Sequence, residues 1–243
     1  MATVILLRHG RSTANTAGVL AGRLPGISLD EVGTAQVAEL GERLAGVPVS
    51  RVVSSSVQRC LETARGVVDR LPVAPQVEID HRLDECDYGD WQGRTLKDLA
   101  GEPLWKTVQR HPSAATFPGG EAMTTMSTRA VAAVRETDAA VETAHGPGAV
   151  WVAVSHGDLV KAVLADALGL HLDQFQRIGV DPASASVIRY TPDRPYVLAS
   201  NTRAGDLAWT AATPHPSAGA AVGGGAGPDR AAGEPDPAAE PGA

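Results

Sequence analysis

Six consecutive apolar residues, Ala149-Val150-Trp151-Val152-Ala153-Val154, constrain the fold of this chain more than any other feature. A strand with one wet face alternates apolar and polar side chains, so an unbroken run reads as a strand buried on both faces. Thr3-Val4-Ile5-Leu6-Leu7 is a second run of this kind. Both are far shorter than the roughly 20 apolar residues that span a bilayer. A strand buried on both faces needs helices above and below it, which points to a layered α/β domain with a mostly parallel sheet.

The segments between these runs supply the helices. Asp30 to Ala45 carries apolar residues at helical spacing, with Asp30 as its N-cap. Arg51 to Ser54 reads as a short strand, and Val57 to Leu71 as a helix stopped by Pro72. Val77 to Leu83 is extended. Leu96 to Arg110 is helical with a break at Pro103, and Glu121 to Ala144 is a long helix ended by Gly146-Pro147-Gly148. Asp158 to Leu168 is a helix ended by Gly169, and Ser184 to Tyr190 and Tyr196 to Asn201 are two late strands. From Ala211 to Ala243 the chain is almost entirely Ala, Gly and Pro. Such a segment buries too little apolar surface to offset its ordering entropy, so a folded domain over 1–210 and a disordered tail over 211–243 are expected.

The formal charge is -7, with 21 basic and 28 acidic residues. No basic patch suits a nucleic-acid backbone, and no stretch suits a membrane. Cys60 and Cys86 stand in no metal-binding or disulfide spacing, and the N-terminus lacks a signal-peptide pattern. A cytoplasmic protein with a small-molecule partner, monomeric or homodimeric, is expected.

Both apolar runs end in the same grammar. Leu7 is followed by Arg8-His9-Gly10, and Val154 by Ser155-His156-Gly157. Ligands in parallel α/β sheets bind at the carboxyl ends of strands. If the two strands are neighbours, their imidazoles converge. Arginine grips phosphate with a planar fork of donors, and histidine attacks as a nucleophile or moves protons. Arg59 follows another strand end at the start of a helix, where it can reach the same edge or pair with Glu62. Asn15 adds a neutral donor. Glu85 stands two residues beyond the extended run Val77 to Leu83, with Tyr88 and Trp91 close enough in sequence to desolvate it; Asp84 and Asp87 compete for the role of acid.

Five segments in order resemble the histidine phosphatase superfamily, also called phosphoglycerate-mutase-like. They are Leu7 to Asn15, Ser54 to Ala64, Leu83 to Gly93, Phe117 to Glu121 and Val154 to Gly157. The resemblance covers about residues 3 to 202. It implies a three-layer α/β/α sandwich and a metal-independent, cofactor-free phosphomonoester hydrolase. His9 would become phosphohistidine. Arg8, Arg59 and His156 would surround the phosphoryl group, with Asn15 as a further contact, and Glu85 would be the general acid. Arg11 departs from the family pattern, which more often has Glu or Gln there. Cofactor-dependent mutases of the family carry a longer insertion after the acid segment, with an Arg-Arg pair. Here about thirty residues separate Glu85 from Pro118 and no such pair occurs, which favours a phosphatase over a mutase or an inactive phospholigand-binding scaffold.

Overall fold

A computed structural model describes residues 2–205, Gly223 and Gly225. The strands are β1 (Thr3–Arg8), β2 (Val49–Ser54), β3 (Val77–Ile79), β4 (Val150–Ser155), β5 (Ala185–Arg189) and β6 (Tyr196–Thr202). They form one sheet in the order β3-β2-β4-β1-β5-β6. The first four strands run parallel, and β5 and β6 add an antiparallel edge. The two apolar runs are neighbours at the centre, with Leu7 beside Val154 and Arg8 beside Ser155.

The helices are α1 (Thr13–Ala17), α2 (Glu31–Leu44), α3 (Gln58–Val68), α4 (Leu96–Leu99), α5 (Pro103–Arg110), α6 (Met123–His145) and α7 (Gly157–Ala167). Successive strand residues face opposite layers. Val4, Leu6, Trp151 and Ala153 join a core that includes α6 and α7 residues. Ile5, Leu7, Val152 and Val154 join a second core with α2 and α3 residues. This is the expected three-layer sandwich, and each such fully buried side chain contributes about 1.5–3 kcal/mol. Trp151, fully buried, places its indole N–H 2.8 Å from Asp138 Oδ1.

Asp30 caps α2 by accepting from Gly33 N at 2.7 Å. Pro103 occupies the first turn of α5, where its missing N–H costs nothing, and so divides the expected Leu96 to Arg110 helix in two. The helix expected to reach Leu71 ends at Val68, because Arg70 and Leu71 already close tighter turns onto Val67 and Val68. The extended run from Val77 is a strand only to Ile79; His81–Leu83 is a 3-10 turn capped by Asp80. Apart from Gly223 and Gly225, the expected tail over 211–243 lies outside the described residues.

Candidate active site

The register of β1 and β4 sets the site. His9 and His156 each follow one residue after the paired Arg8 and Ser155, and His9 N donates to Ser155 O at 3.0 Å. Their ring centroids lie 5.3 Å apart. Gly10 lets the chain leave β1 tightly against α2: a Cβ there would sit 2.7 Å from Gly33 O and 2.9 Å from Val37 Cγ2.

The His9 tautomer follows from its partners. Nδ1 lies 2.7 Å from Gly10 O, and a carbonyl only accepts, so Nδ1 carries the proton. Nε2 then holds a lone pair, and it accepts from Arg59 Nε at 3.0 Å. Burial, reinforced by Arg59 and Arg8, holds the His9 pKa well below its ordinary value. The ring is therefore neutral, with a lone pair facing the site.

Arg59, in the first turn of α3, is buried and does not pair with Glu62. Its Nη2 donates to Gly22 O at 3.0 Å and to His156 Nδ1 at 2.9 Å. Among the described residues its Nη1 is a buried donor without an acceptor. A buried cationic donor in that state suits an anion. Arg8, also buried, donates from Nη1 to Val180 O at 2.9 Å and from Nη2 to Gly225 O at 2.8 Å. Desolvation lowers its pKa to about 10, with Asp181, Glu85 and Asp158 opposing the fall, so it remains charged at neutral pH.

His156 is the N-cap of α7, and its Nε2 lies 2.8 Å from Ser55 Oγ. Burial and then Arg59 keep its pKa well below 6.5. Glu85 Oε2 lies 3.7 Å from His156 Nδ1. Glu85 is buried, and desolvation, helped by Asp158, pushes its carboxyl up to about 7 against the pull of Arg59. Tyr88 and Trp91 are buried as expected, but the Tyr88 hydroxyl is spent on Asp158 at 2.9 Å. The competing carboxylates are engaged elsewhere: Asp84 accepts from Ser55, Ser56 and His81, and Asp87 from Gly89 N.

Asn15 sits in α1, where its Oδ1 accepts from Ser12 N and Ser12 Oγ in a capping box. Arg11 turns to Asp30, with Nε 2.7 Å from Oδ2. Lys161 is buried, 3.9 Å from Asp158 and hydrogen-bonded to Gln176. Both thiols are buried, and burial raises the Cys60 pKa to about 12 and moves that of Cys86 in the same direction.

Sequence reasoning missed the bracket that holds the Glu85 segment. Arg129 of α6 donates to the carbonyls of Arg82, Asp84 and Glu85 at 2.7, 2.7 and 3.0 Å. It also pairs with Glu121 at 2.6 Å. Arg23 adds a bond to Glu85 O at 2.7 Å and another to Glu121 at 3.0 Å. Glu121 lay in a quoted motif; Arg129 looks in sequence like any solvated helix cation. A cleft of about 610 Å³ opens beside the site, lined in part by Arg23, Leu24, Gln58, Glu62 and Arg65. Among the described residues no group of His, Cys, Asp or Glu is placed to hold a metal ion, and no helix is long and apolar enough to cross a membrane.

The sequence profile of the Histidine phosphatase superfamily (branch 1) matches residues 4–203. The chain is 32% identical over 179 residues to glucosyl-3-phosphoglycerate phosphatase of Mycolicibacterium vanbaalenii, covering 72% of this chain and 78% of that one. It is 29% identical over 206 residues to phosphoserine phosphatase 1 of Hydrogenobacter thermophilus, covering 83% and 92%. The solved mycobacterial glucosyl-3-phosphoglycerate phosphatase in complex with VO3 superposes with a TM-score of 0.73 at 27% identity, over 82% of this chain and 99% of its own length.

Proposed function

The chain belongs to the histidine phosphatase superfamily (branch 1), and from that premise we propose that it hydrolyses a small phosphomonoester with His9 as nucleophile and Glu85 as proton carrier. The observation that carries this is the pair of bonds from Arg59, to His9 Nε2 at 3.0 Å and to His156 Nδ1 at 2.9 Å. One guanidinium addresses the lone pairs of both imidazoles, so a phosphoryl group arriving there meets a nucleophile and a fixed cation together.

In the first step His9 Nε2 attacks phosphorus and the bond to the leaving oxygen breaks. Glu85 gives that oxygen its proton, and the leaving group departs as an alcohol. The phosphoryl charge is met by Arg8, Arg59 and His156, with the Asn15 amide as a further donor. In the second step water attacks the phosphohistidine, Glu85 takes the water proton, and phosphate leaves with His9 restored. Cations and imidazoles supply the charge stabilisation, so the reaction needs no metal. The substrate is a small phosphorylated metabolite, and glucosyl-3-phosphoglycerate and phosphoserine are the first compounds to try, given the names of the relatives.

The test is acid-quenched phosphoenzyme labelling with and without EDTA, in wild type and His9→Ala. We expect a labelled wild type, indifferent to EDTA, and an unlabelled, inactive variant. An active, labelled His9→Ala protein would remove His9 from the nucleophilic role.

A further inference from the structure

Ser55 has one hydroxyl proton, with Val57, Asp84, His156 and the Cys60 thiol around it. Val57 N donates to its Oγ at 3.2 Å. Asp84 Oδ1 lies 2.9 Å away and His156 Nε2 lies 2.8 Å away. Asp84 is held as an acceptor. Burial opposes its ionisation, but bonds from His81, Ser56 N and the two serine hydroxyls outweigh that and keep its pKa below the usual carboxylate value. The Ser55 proton therefore goes to Asp84, and His156 Nε2 must donate to Ser55 Oγ. The other side of the ring agrees: Nδ1 accepts from Arg59 Nη2 at 2.9 Å, so it carries a lone pair.

This tautomer presents a difficulty to an incoming phosphoryl group. An acceptor oxygen at Nδ1 would meet a lone pair. Moving the proton from Nε2 to Nδ1 would leave Nε2 facing Ser55 and would require the Ser55 proton to abandon Asp84. Adding a second proton at Nδ1 keeps the bonds at Nε2 and gives up only the one from Arg59 Nη2, whose donor is then available to the phosphoryl oxygens. It also places the new imidazolium at the end of a chain that finishes in a buried carboxylate.

We propose that Asp84 and Ser55 are positioning residues for catalysis, forming with His156 a carboxylate–hydroxyl–imidazole relay that accepts from Nε2–H and sustains a second proton at Nδ1 while the phosphoryl group is bound. The proton comes from the monoanionic form of the phosphomonoester or from solvent, and it leaves with phosphate, so the ring is neutral again after each turnover. The relay rests on the role given to His156 above. The charged and titratable groups around the ring are Arg59 and Cys60 from α3, Arg8 and His9 from the end of β1, Asp84 and Glu85 from the loop after β3, and Arg129 from α6. Burial first, and then the cations among them, hold the ring neutral without a bound anion. A bound dianion offsets them.

The test is long-range proton–nitrogen spectroscopy of the full-length protein labelled in histidine, with His156→Gln identifying the ring signals. In the ligand-free wild type we expect His156 protonated at Nε2 alone, and with orthovanadate bound, at both nitrogens. Ser55→Ala, in which Arg59 still donates to Nδ1, should keep the Nε2–H tautomer without vanadate, but it and Asp84→Asn should both fail to show the doubly protonated ring with vanadate. Both variants should lose kcat/KM by on the order of 10²-fold, as for one removed transition-state donor. The loss should be equal for p-nitrophenyl and alkyl phosphates. If Asp84→Asn does not fold, Ser55→Ala, which removes only a hydroxyl, carries the test. A doubly protonated His156 in vanadate-bound Ser55→Ala overturns the relay. So does a loss confined to alkyl phosphates, which would mean that Asp84 acts through its neighbour Glu85. A wild type with the expected tautomer but no phosphoenzyme would instead overturn the reading of His9.

Discussion

Replacing Glu85 by glutamine separates the two jobs assigned to that carboxyl. An ordinary glutamate with pKa 4.5 is about 0.3% protonated at pH 7, whereas one raised to about 7 is half protonated, a gain of about 150-fold in available acid. The working form in the first step is the protonated one. Its share is full below pH 7 and falls tenfold per unit above it. For an alkyl phosphate, kcat/KM reports the phosphorylation step and should fall along that limb. For p-nitrophenyl phosphate, whose leaving group needs no proton, the limb should be shallow or missing. Glu85→Gln should therefore cost about 10²–10⁴-fold on the alkyl substrate and about tenfold or less on the activated one. Stability should move the other way. A carboxyl whose pKa is raised on folding destabilises the fold once it ionises, so wild-type stability falls as pH climbs from 4.5 through 7. The cost is at most about 3.5 kcal/mol above that window, from 2.5 pH units at about 1.4 kcal/mol each. Glutamine carries no charge and keeps an oxygen for Cys86 N, which Glu85 Oε1 now accepts at 2.9 Å. The Glu85→Gln protein should melt several degrees above wild type at pH 8 and near it at pH 5. Equal losses on both substrates, or a lower melting point at pH 8, would refute the assignment.

Arg59→Lys keeps the charge but cannot reach His9, His156 and Gly22 at once, so kcat/KM should fall by about 10²–10³-fold while the fold is retained, checked by circular dichroism. Gly10→Ala forces a methyl against Gly33 O and Val37. About 1–3 kcal/mol should be lost, and calorimetry should show a melting point lower by roughly 2–12 °C.

The parts of this molecule that could be read from its sequence are those in which one residue or one run carries the physics by itself. The apolar runs of β1 and β4 announced their double burial, Asp30 announced its helix, and Pro103 announced a break. Arg8, His9, Arg59, Glu85 and His156 were identifiable because each stands at a strand or helix end, where side chains must converge. Arg129 and Arg23 were not, because they act on backbone carbonyls, which have no signature in sequence. The relay was hidden for a related reason: Asp84 was weighed only as a rival to Glu85, and its partners Ser55 and His156 lie 29 and 72 positions away in the chain. Asn15 shows the opposite case, a residue assigned to the pocket whose carbonyl has a local duty in capping α1.

His9 and His156 begin where β1 and β4 stop, and those two strands lie inside the sheet, flanked by β2 and β5. Interior strands open only at free energies close to that of global unfolding. The two histidines, on the role proposed for them, therefore have no local melting transition of their own. On gradual heating, catalysis should persist until the whole domain gives way, its loss coinciding with the loss of near-ultraviolet signal from buried Trp151, and the backbone amides of β1 and β4 should be among the slowest to exchange with deuterated solvent. The loop from Gly18 to Leu29, which supplies Arg23 and Leu24 to the cleft, is under no such constraint: it can vary in sequence and so change which substrate is admitted, while the reacting histidines stay where the sheet puts them.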